Sequence, residues 1–425
     1  MSQTISEKIL SAHAGTTVRA GDIAICTADL LLGTDGSGPM AIDYFEEMRG
    51  ERLHDPSRTF FSLDHYTPSE FDATRVFHQR LRTFARRHGA TLFETGEGIS
   101  HQVVVERGLV GAGDLVVGAD SHTVMCGAMN SFAIGVGSSD LAAAMKTGRI
   151  WLRVPETIRV RLEGSRRSGV AAKDVALALV ALLGGDGANY HAIEFDGNLD
   201  AFTLEDRLVL SSLAVEAGAK AAIFPHDRYT VAYLRERGGS RSTPVTADAG
   251  ARYAREVVID LESLTSRVAR PHAPDLVVGV AETAGVPVQM VFIGTCTGGR
   301  VPDVHEALAA FDRAGGKVAP GVQLVLTPAS MEVERRLRDD GSLARLETAG
   351  AIITTPGCGA CCGTSGVIPD NGMNVLSTAN RNFKGRMGNA TANIYLASPA
   401  VCGAAAALGR IPDASDVVVV PGREP

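Results

Sequence analysis

The sequence predicts an α/β protein of several domains. Helix-like and strand-like apolar patterns alternate along the whole chain, the signature of helices layered on sheets. With 425 residues and roughly 150 residues per domain, the length points to about three domains. A hydrophobic content of 45% against 21% charged residues is enough to build a core in each.

The elements follow in order. Asp114 to Asp120 reads as a buried strand running into a polar turn, and Asp140 to Ile150 as a helix. Glu156 to Glu163 alternates apolar and charged residues, as a half-exposed strand does. That strand opens a second domain, so the first is expected to span residues 1–155. Lys173 to Leu183 follows as a helix. A proline-marked segment, Arg270-Pro-His-Ala-Pro274, is expected to be a linker after a helical stretch. It divides a second domain, 156–270, from a third, 271–425. In the third, Val288 to Ile293 is a strand that leads into Gly294-Thr-Cys296. Val322 to Leu326 is another, Met331 to Leu337 a charged helix, and Asp413 to Pro425 a short apolar strand with a polar tail.

Charge and hydropathy exclude some classes of function. The net charge is −7, and no basic block is interleaved with aromatics, so neither nucleic acid nor an anionic membrane is an expected partner. The longest apolar run, Val175 to Leu183, falls far short of the ~20 residues of a membrane span. Glu7 and Lys8 interrupt the N-terminal segment, which has no apolar signal core. The expected compartment is the cytoplasm. The pairs Gly96-x-Gly98 and Gly135-x-Gly137 are not full nucleotide-binding fingerprints.

The cysteines carry the strongest chemical signal. There are seven, an odd number at uneven spacing, which does not suit a disulfide framework. Cys358 and Cys361 form a C-x-x-C among small residues after Pro356, and Cys296 stands alone at the end of a strand. Small neighbours free backbone N–H groups to face metal-bound sulfur. Three thiolates on a four-iron cluster would leave one iron open to act as a Lewis acid. A zinc site built on the same pair, or plain buried cysteines, is the alternative. Cys362 is a further thiol, but adjacent side chains diverge.

Three histidine–acid patches accompany the cysteines: Asp64-His65, His101 after Gly96-Glu-Gly-Ile-Ser100, and Asp120-Ser-His122. A cationic histidine can protonate a departing hydroxyl, and a neighbouring carboxylate raises its pKa and orients the ring. The segment Asn380-Arg-Asn-Phe-Lys-Gly-Arg386 offers two guanidinium forks suited to carboxylates. Taken alone it reads better as a solvated basic loop.

Together these strings resemble the aconitase superfamily, in particular the large subunits of 3-isopropylmalate dehydratase (isomerase) and homoaconitase. The resemblance spans nearly the whole chain in order. It runs through Asp64-His65, Gly-x-Gly-Ile-x-His101, Gly118-Ala-Asp-Ser-His-Thr123 and Val215-Glu-Ala-Gly-Ala-Lys220. It continues in Gly294-Thr-Cys-Thr-Gly-Gly-Arg300, Pro356-Gly-Cys-Gly-Ala-Cys361 and Ser377 to Gly388.

The resemblance implies three α/β/α domains around a [4Fe–4S] cluster held by Cys296, Cys358 and Cys361. It implies a hydro-lyase that moves a hydroxyl on a malate-like acid by dehydration and rehydration, as in leucine biosynthesis. His65, paired with Asp64, would donate the proton; His101 would pair with Asp120, and His122 with Glu216. Ser121, Arg381 and Arg386 would bind substrate, and Asn380 would lie against the cluster. A small subunit carrying a fourth, swivelling domain is the expected partner. The chain departs from the pattern at Gly298 and Ser212, where asparagine is usual, and Thr34-Asp-Gly-Ser-Gly-Pro39 matches only loosely. The asparagine changes are expected to remove hydrogen bonds near the cluster. A cluster-based iron or oxygen sensor, or a scaffold with a closed zinc site, is the competing class.

Overall fold

A computed structural model describes residues 2–69, 71–239 and 242–417. Its strands form three sheets and a two-stranded ribbon. The first sheet is parallel throughout, in the order Thr91–Phe93, Thr59–Ser62, Leu30–Thr34, Leu115–Gly118, Phe132–Gly135. Its central strand is buried at every position, as expected where helices cover both faces. Successive residues serve opposite sides. Leu31, Phe61, Val117 and Ile134 pack in one apolar cluster, and Leu30, Leu32, Phe60 and Val116 in another.

The second sheet is also parallel: Ala221–Ile223, Ala192–Gly197, Thr157–Glu163, Arg255–Asp260. The alternation expected at residues 156–163 appears as Ile158, Val160 and Leu162 inside. The third sheet has seven strands in the order Val277–Gly279, Arg267–Ala269, Asn393–Ala397, Asn374–Ser377, Met290–Ile293, Gln323–Leu326, Ile352–Ile353. Its first two pairings are antiparallel and the rest parallel. Val291 and Ile293 face one cluster, Met290 and Phe292 the other.

Several local expectations need correction. The helix expected at residues 140–150 is Ser138–Thr147; Gly148 ends it in the left-handed conformation. The following Arg149–Arg153 is a strand, paired antiparallel with Ile23–Thr27. The stretch before residue 270 is not helical but holds the strands Arg255–Asp260 and Arg267–Ala269. The proline-marked segment 270–274 lies between two paired strands, Arg267–Ala269 and Val277–Gly279, so it belongs to a hairpin connection within the third sheet. Of the strand expected at residues 413–425, positions 418–425 lie outside the described residues, and 414–417 carry turn and bend structure. No helix among the described residues is long and apolar enough to cross a membrane.

The helices Pro399–Leu408 and Val301–Arg313 cross closely on one face of the third sheet. A Cβ at Gly403 would stand 1.9 Å from the Ala307 carbonyl oxygen, so only glycine permits this crossing. Gly403→Ala is expected to force the helices apart and to destabilise the protein by about 1–3 kcal/mol, as overpacked cores do. A chemical-denaturation midpoint checks this; an unchanged midpoint would show that the crossing tolerates a methyl group.

Candidate active site

The site residues sit at the carboxyl ends of strands, where open α/β sheets bind ligands. In the first sheet, Thr34 leads to Asp35, Ser62 to Asp64 and His65, and Gly118 to Asp120, Ser121 and His122. In the third, Ile293 leads to Cys296, Ile353 to Cys358 and Cys361, and Ser377 to Asn380 and Arg381. Glu216 comes from the short 3-10 turn Ala214–Ala217, which follows the helix Leu204–Leu213. A cleft of about 260 Å³ is lined by Thr34, Gly36, His65, Asp120, Cys362 and Arg386, with Ala119, Ser121, His122 and Arg381. A larger hollow of about 410 Å³, lined by Ile42, Val76 and Phe84 among others, contains none of the expected site residues.

The His65 ring lies between two carboxylates at the cleft. Its Nδ1 lies 2.8 Å from Asp64 Oδ1 and its Nε2 3.4 Å from Asp120 Oδ2. Asp64 is fully buried, and its other oxygen accepts the Ser100 N–H at 2.8 Å. Burial opposes the imidazolium, but the Cys358 sulfur and the Asp64 carboxylate raise the His65 pKa well above the ordinary value. That favours a proton donor at neutral pH.

A second network ties Arg381 to Glu216, His122 and Ser121. His122 Nε2 lies 3.0 Å from Glu216 Oε1, as expected. Arg381 Nε donates to both Glu216 oxygens at 2.9 and 3.0 Å, and its Nη2 donates to Ser121 Oγ at 2.9 Å. Burial pushes the Glu216 carboxyl up, but His122 and Arg381 outweigh it and hold the pKa below the usual range. The guanidinium is thereby fixed from two sides before any ligand arrives.

The expected pairing of His101 with Asp120 is not formed. Both ring nitrogens of the buried His101 lack a hydrogen-bond partner, and burial lowers its pKa. Asp120 turns instead to His65 and accepts the His122 N–H at 2.7 Å. Burial raises the Asp120 pKa, but the charges of His101, His65 and His122 outweigh it and leave it lowered.

Around the cysteines, Asn380 Nδ2 lies 3.4 Å from Cys296 Sγ, and Arg386 Nη2 lies 3.8 Å from Cys361 Sγ. Cys358 Sγ lies 3.9 Å from His65 Nδ1; Asp64, His65 and Cys358 bring ligand atoms within 4.8 Å of one another. Cys362 lines the cleft, with its sulfur 2.7 Å from Thr364 Oγ1. All seven cysteines are free. Burial pushes the Cys26 thiol up to about 11 and the Cys126 thiol up to about 12, which marks both as inert core residues.

The two departures have local explanations. A Cβ at Gly298 would stand 2.2 Å from Thr378 Cβ, so Thr378 occupies the space a larger residue needs. Ser212 keeps contact with the sulfur: its Oγ lies 3.5 Å from Cys296 Sγ and accepts from Asn380 Nδ2 at 3.4 Å.

The aconitase family (aconitate hydratase) matches residues 7–287 and 281–409 of this sequence. The chain belongs to the aconitase family. Among its relatives, "3-isopropylmalate dehydratase large subunit 1" of Methanopyrus kandleri is 42% identical over 415 residues, 97% of this chain and 99% of that protein. "3-isopropylmalate dehydratase large subunit" of Elusimicrobium minutum is 42% identical over 420 residues, 98% of this chain and all of that protein. The aconitase X of Thermococcus kodakaraensis, in its holo-form, shares the fold: TM-score 0.53 at 14% identity, covering 89% of this chain and 88% of that one. This aconitase-type chain therefore has the parallel α/β architecture of its family.

Sequence reasoning missed two buried groups of the site. Lys173 donates to Thr297 Oγ1 at 3.1 Å and to the carbonyls of Thr378 and Ala379 at 2.9 and 2.7 Å; burial lowers its pKa to about 8. Thr297 Oγ1 in turn bonds Asn380 Oδ1, which fixes the amide that faces Cys296. The pair Lys173-Asp174 opening a helix whose other residues are all apolar was the available signal. Asp35, within the loosely matched string, is wholly buried.

Proposed function

We propose that this chain is the large subunit of a hydro-lyase of the 3-isopropylmalate dehydratase type, working by dehydration and rehydration of a hydroxy acid. One observation carries the reading: His65–Asp64, Asp120, His122–Glu216 and Arg381–Ser121 converge on one cleft beside Cys358. The full-length likeness to proteins named 3-isopropylmalate dehydratase large subunit supports the substrate class.

Cys296, Cys358 and Cys361 would hold a [4Fe–4S] cluster. The surroundings fit it, since Asn380 and Arg386 place N–H donors toward two of the sulfurs, as cluster sulfurs need. When bound, that group supplies a Lewis acid for the substrate's hydroxyl and carboxylate. The chain's own residues do the rest. His65 delivers a proton to the departing hydroxyl, with Asp64 holding its ring. Arg381 and Arg386, with Ser121, clamp substrate carboxylates. His122, held by Glu216, and His101 line the departing oxygen's side, and Asn380 supports Cys296. A division into three α/β/α domains fits these groups, with the first boundary near residue 155 and the second between Asp260, the end of the second sheet, and Arg267, the start of the third.

The relatives' names, "large subunit", support a small-subunit partner. Among the described residues, each histidine of the cleft already has one of the roles above and Asp120 is held between the His65 ring and the His122 N–H, so the partner is assigned the base that removes the carbon-bound proton. The test is to reconstitute the chain with iron and sulfide, then assay isopropylmalate, homocitrate and citrate with and without a small subunit. Turnover of isopropylmalate only with the partner is the expected result. Full turnover by the chain alone would refute the two-subunit reading, and preference for another acid would reassign the substrate.

A further inference from the structure

We infer that Asp35 and His78 are positioning residues for His65, a clamp that sets the proton donor from behind the cleft. This rests on His65 being the donor proposed above. Asp35 follows the central strand Leu30–Thr34 and has no exposed surface. Its Oδ1 accepts the His65 N–H at 2.9 Å, and its Oδ2 accepts the Tyr66 N–H at 3.0 Å. His78, on the helix Asp72–His88 and 3% exposed, places Nε2 2.9 Å from the same Oδ2. Asp35 Oδ1 also lies 3.8 Å from His65 Nδ1.

The wholly buried carboxylate cannot reach a substrate, yet it grips the backbone on which the proposed donor is carried. The opposite side of that strap is held by the third sheet's loops. The His65 carbonyl accepts Thr364 Oγ1 at 2.7 Å and Ser365 Oγ at 3.1 Å. Asp64 fixes the ring; Asp35 fixes the peptide. His78 keeps Asp35 aimed, since an unpaired buried carboxylate would swing toward other donors or take up a proton.

Three variants test this in the reconstituted two-subunit enzyme: Asp35→Asn, His78→Leu and His78→Gln. Asp35→Asn is expected to keep its iron and its KM while kcat falls about 10- to 100-fold, the cost of misplacing a reacting group by an ångström or so. His78→Leu moves kcat the same way, and His78→Gln, which retains an N–H donor, restores most of it. Hydrogen exchange at the His65 and Tyr66 amides, read on the same samples, should quicken in Asp35→Asn and His78→Leu but not in His78→Gln. The exchange measurement decides the clamp whichever acid the wild type turns over, so failure of the dehydratase reading stays separate. Unchanged exchange in Asp35→Asn and His78→Leu, or a kcat loss as large in His78→Gln as in His78→Leu, overturns the proposal. If Asp35→Asn does not fold, the two His78 variants decide alone.

Discussion

Serine at Cys296, Cys358 or Cys361 is expected to abolish both the broad visible absorption of an iron–sulfur centre and turnover, in protein purified without oxygen. Serine at Cys26, Cys126 or Cys402 should leave both intact. The two groups differ in surroundings. Asn380 and Arg386 direct N–H groups at Cys296 and Cys361, and the His65 ring lies beside Cys358. Cys26 and Cys126 instead face the carbonyls of Leu10 and His101, and Cys402 lies in the apolar cluster of the third sheet. Iron content and absorbance, measured on each variant before any assay, settle the ligand set. Loss of the cluster in Cys362→Ser with retention in Cys296→Ser would show the assignment to be wrong.

His65→Ala is expected to lower turnover by about 10²–10⁴ while the iron content stays full, the effect of deleting a positioned general acid. The size follows from how completely the ring is committed. Nδ1 is tied to a fully buried carboxylate at 2.8 Å, which leaves Nε2 to face the cleft beside Asp120. Alanine has no group to take up the proton transfer, and a water in its place has neither the orientation nor the raised pKa. Turnover and iron content should be measured on one preparation. Near-normal turnover with a full cluster would sink the role given to His65.

Much of the site could be read from the sequence because its motifs are local. Apolar runs that end at Gly118 and Ile293 placed Asp120 and Cys296 at strand ends, and the Cys358–Cys361 spacing needed only three residues to be seen. The alternation at Thr157–Glu163 likewise gave the inner face of its strand. What escaped depends on pairing between distant segments. Asp35 meets His65 and His78 across 30 and 43 positions, and Lys173 meets Ala379 across 206; no periodicity encodes either meeting. The misplaced partner of Asp120 has the same origin, since His65 and His101 are equally good neighbours on paper and only packing chose between them. The short strand Arg267–Ala269 was missed because three residues carry no measurable period.

Contacts that join the first sheet to the third give the cleft a particular place in the history of the folding chain. The His65 carbonyl meets Ser365 Oγ across 300 positions, and Arg381 meets Ser121 across 260. Closing loops of that length costs entropy before any contact repays it, so such contacts form late. Each layer can collapse on its own neighbours first, whereas the cleft exists only once all have docked. A ribosome must therefore release nearly the whole chain before the His65 strap can be tied to residues 364 and 365. Iron delivery in the cell is correspondingly expected to act on an already docked protein, and a proteolytic fragment ending before residue 358 should fold in part yet never take up metal.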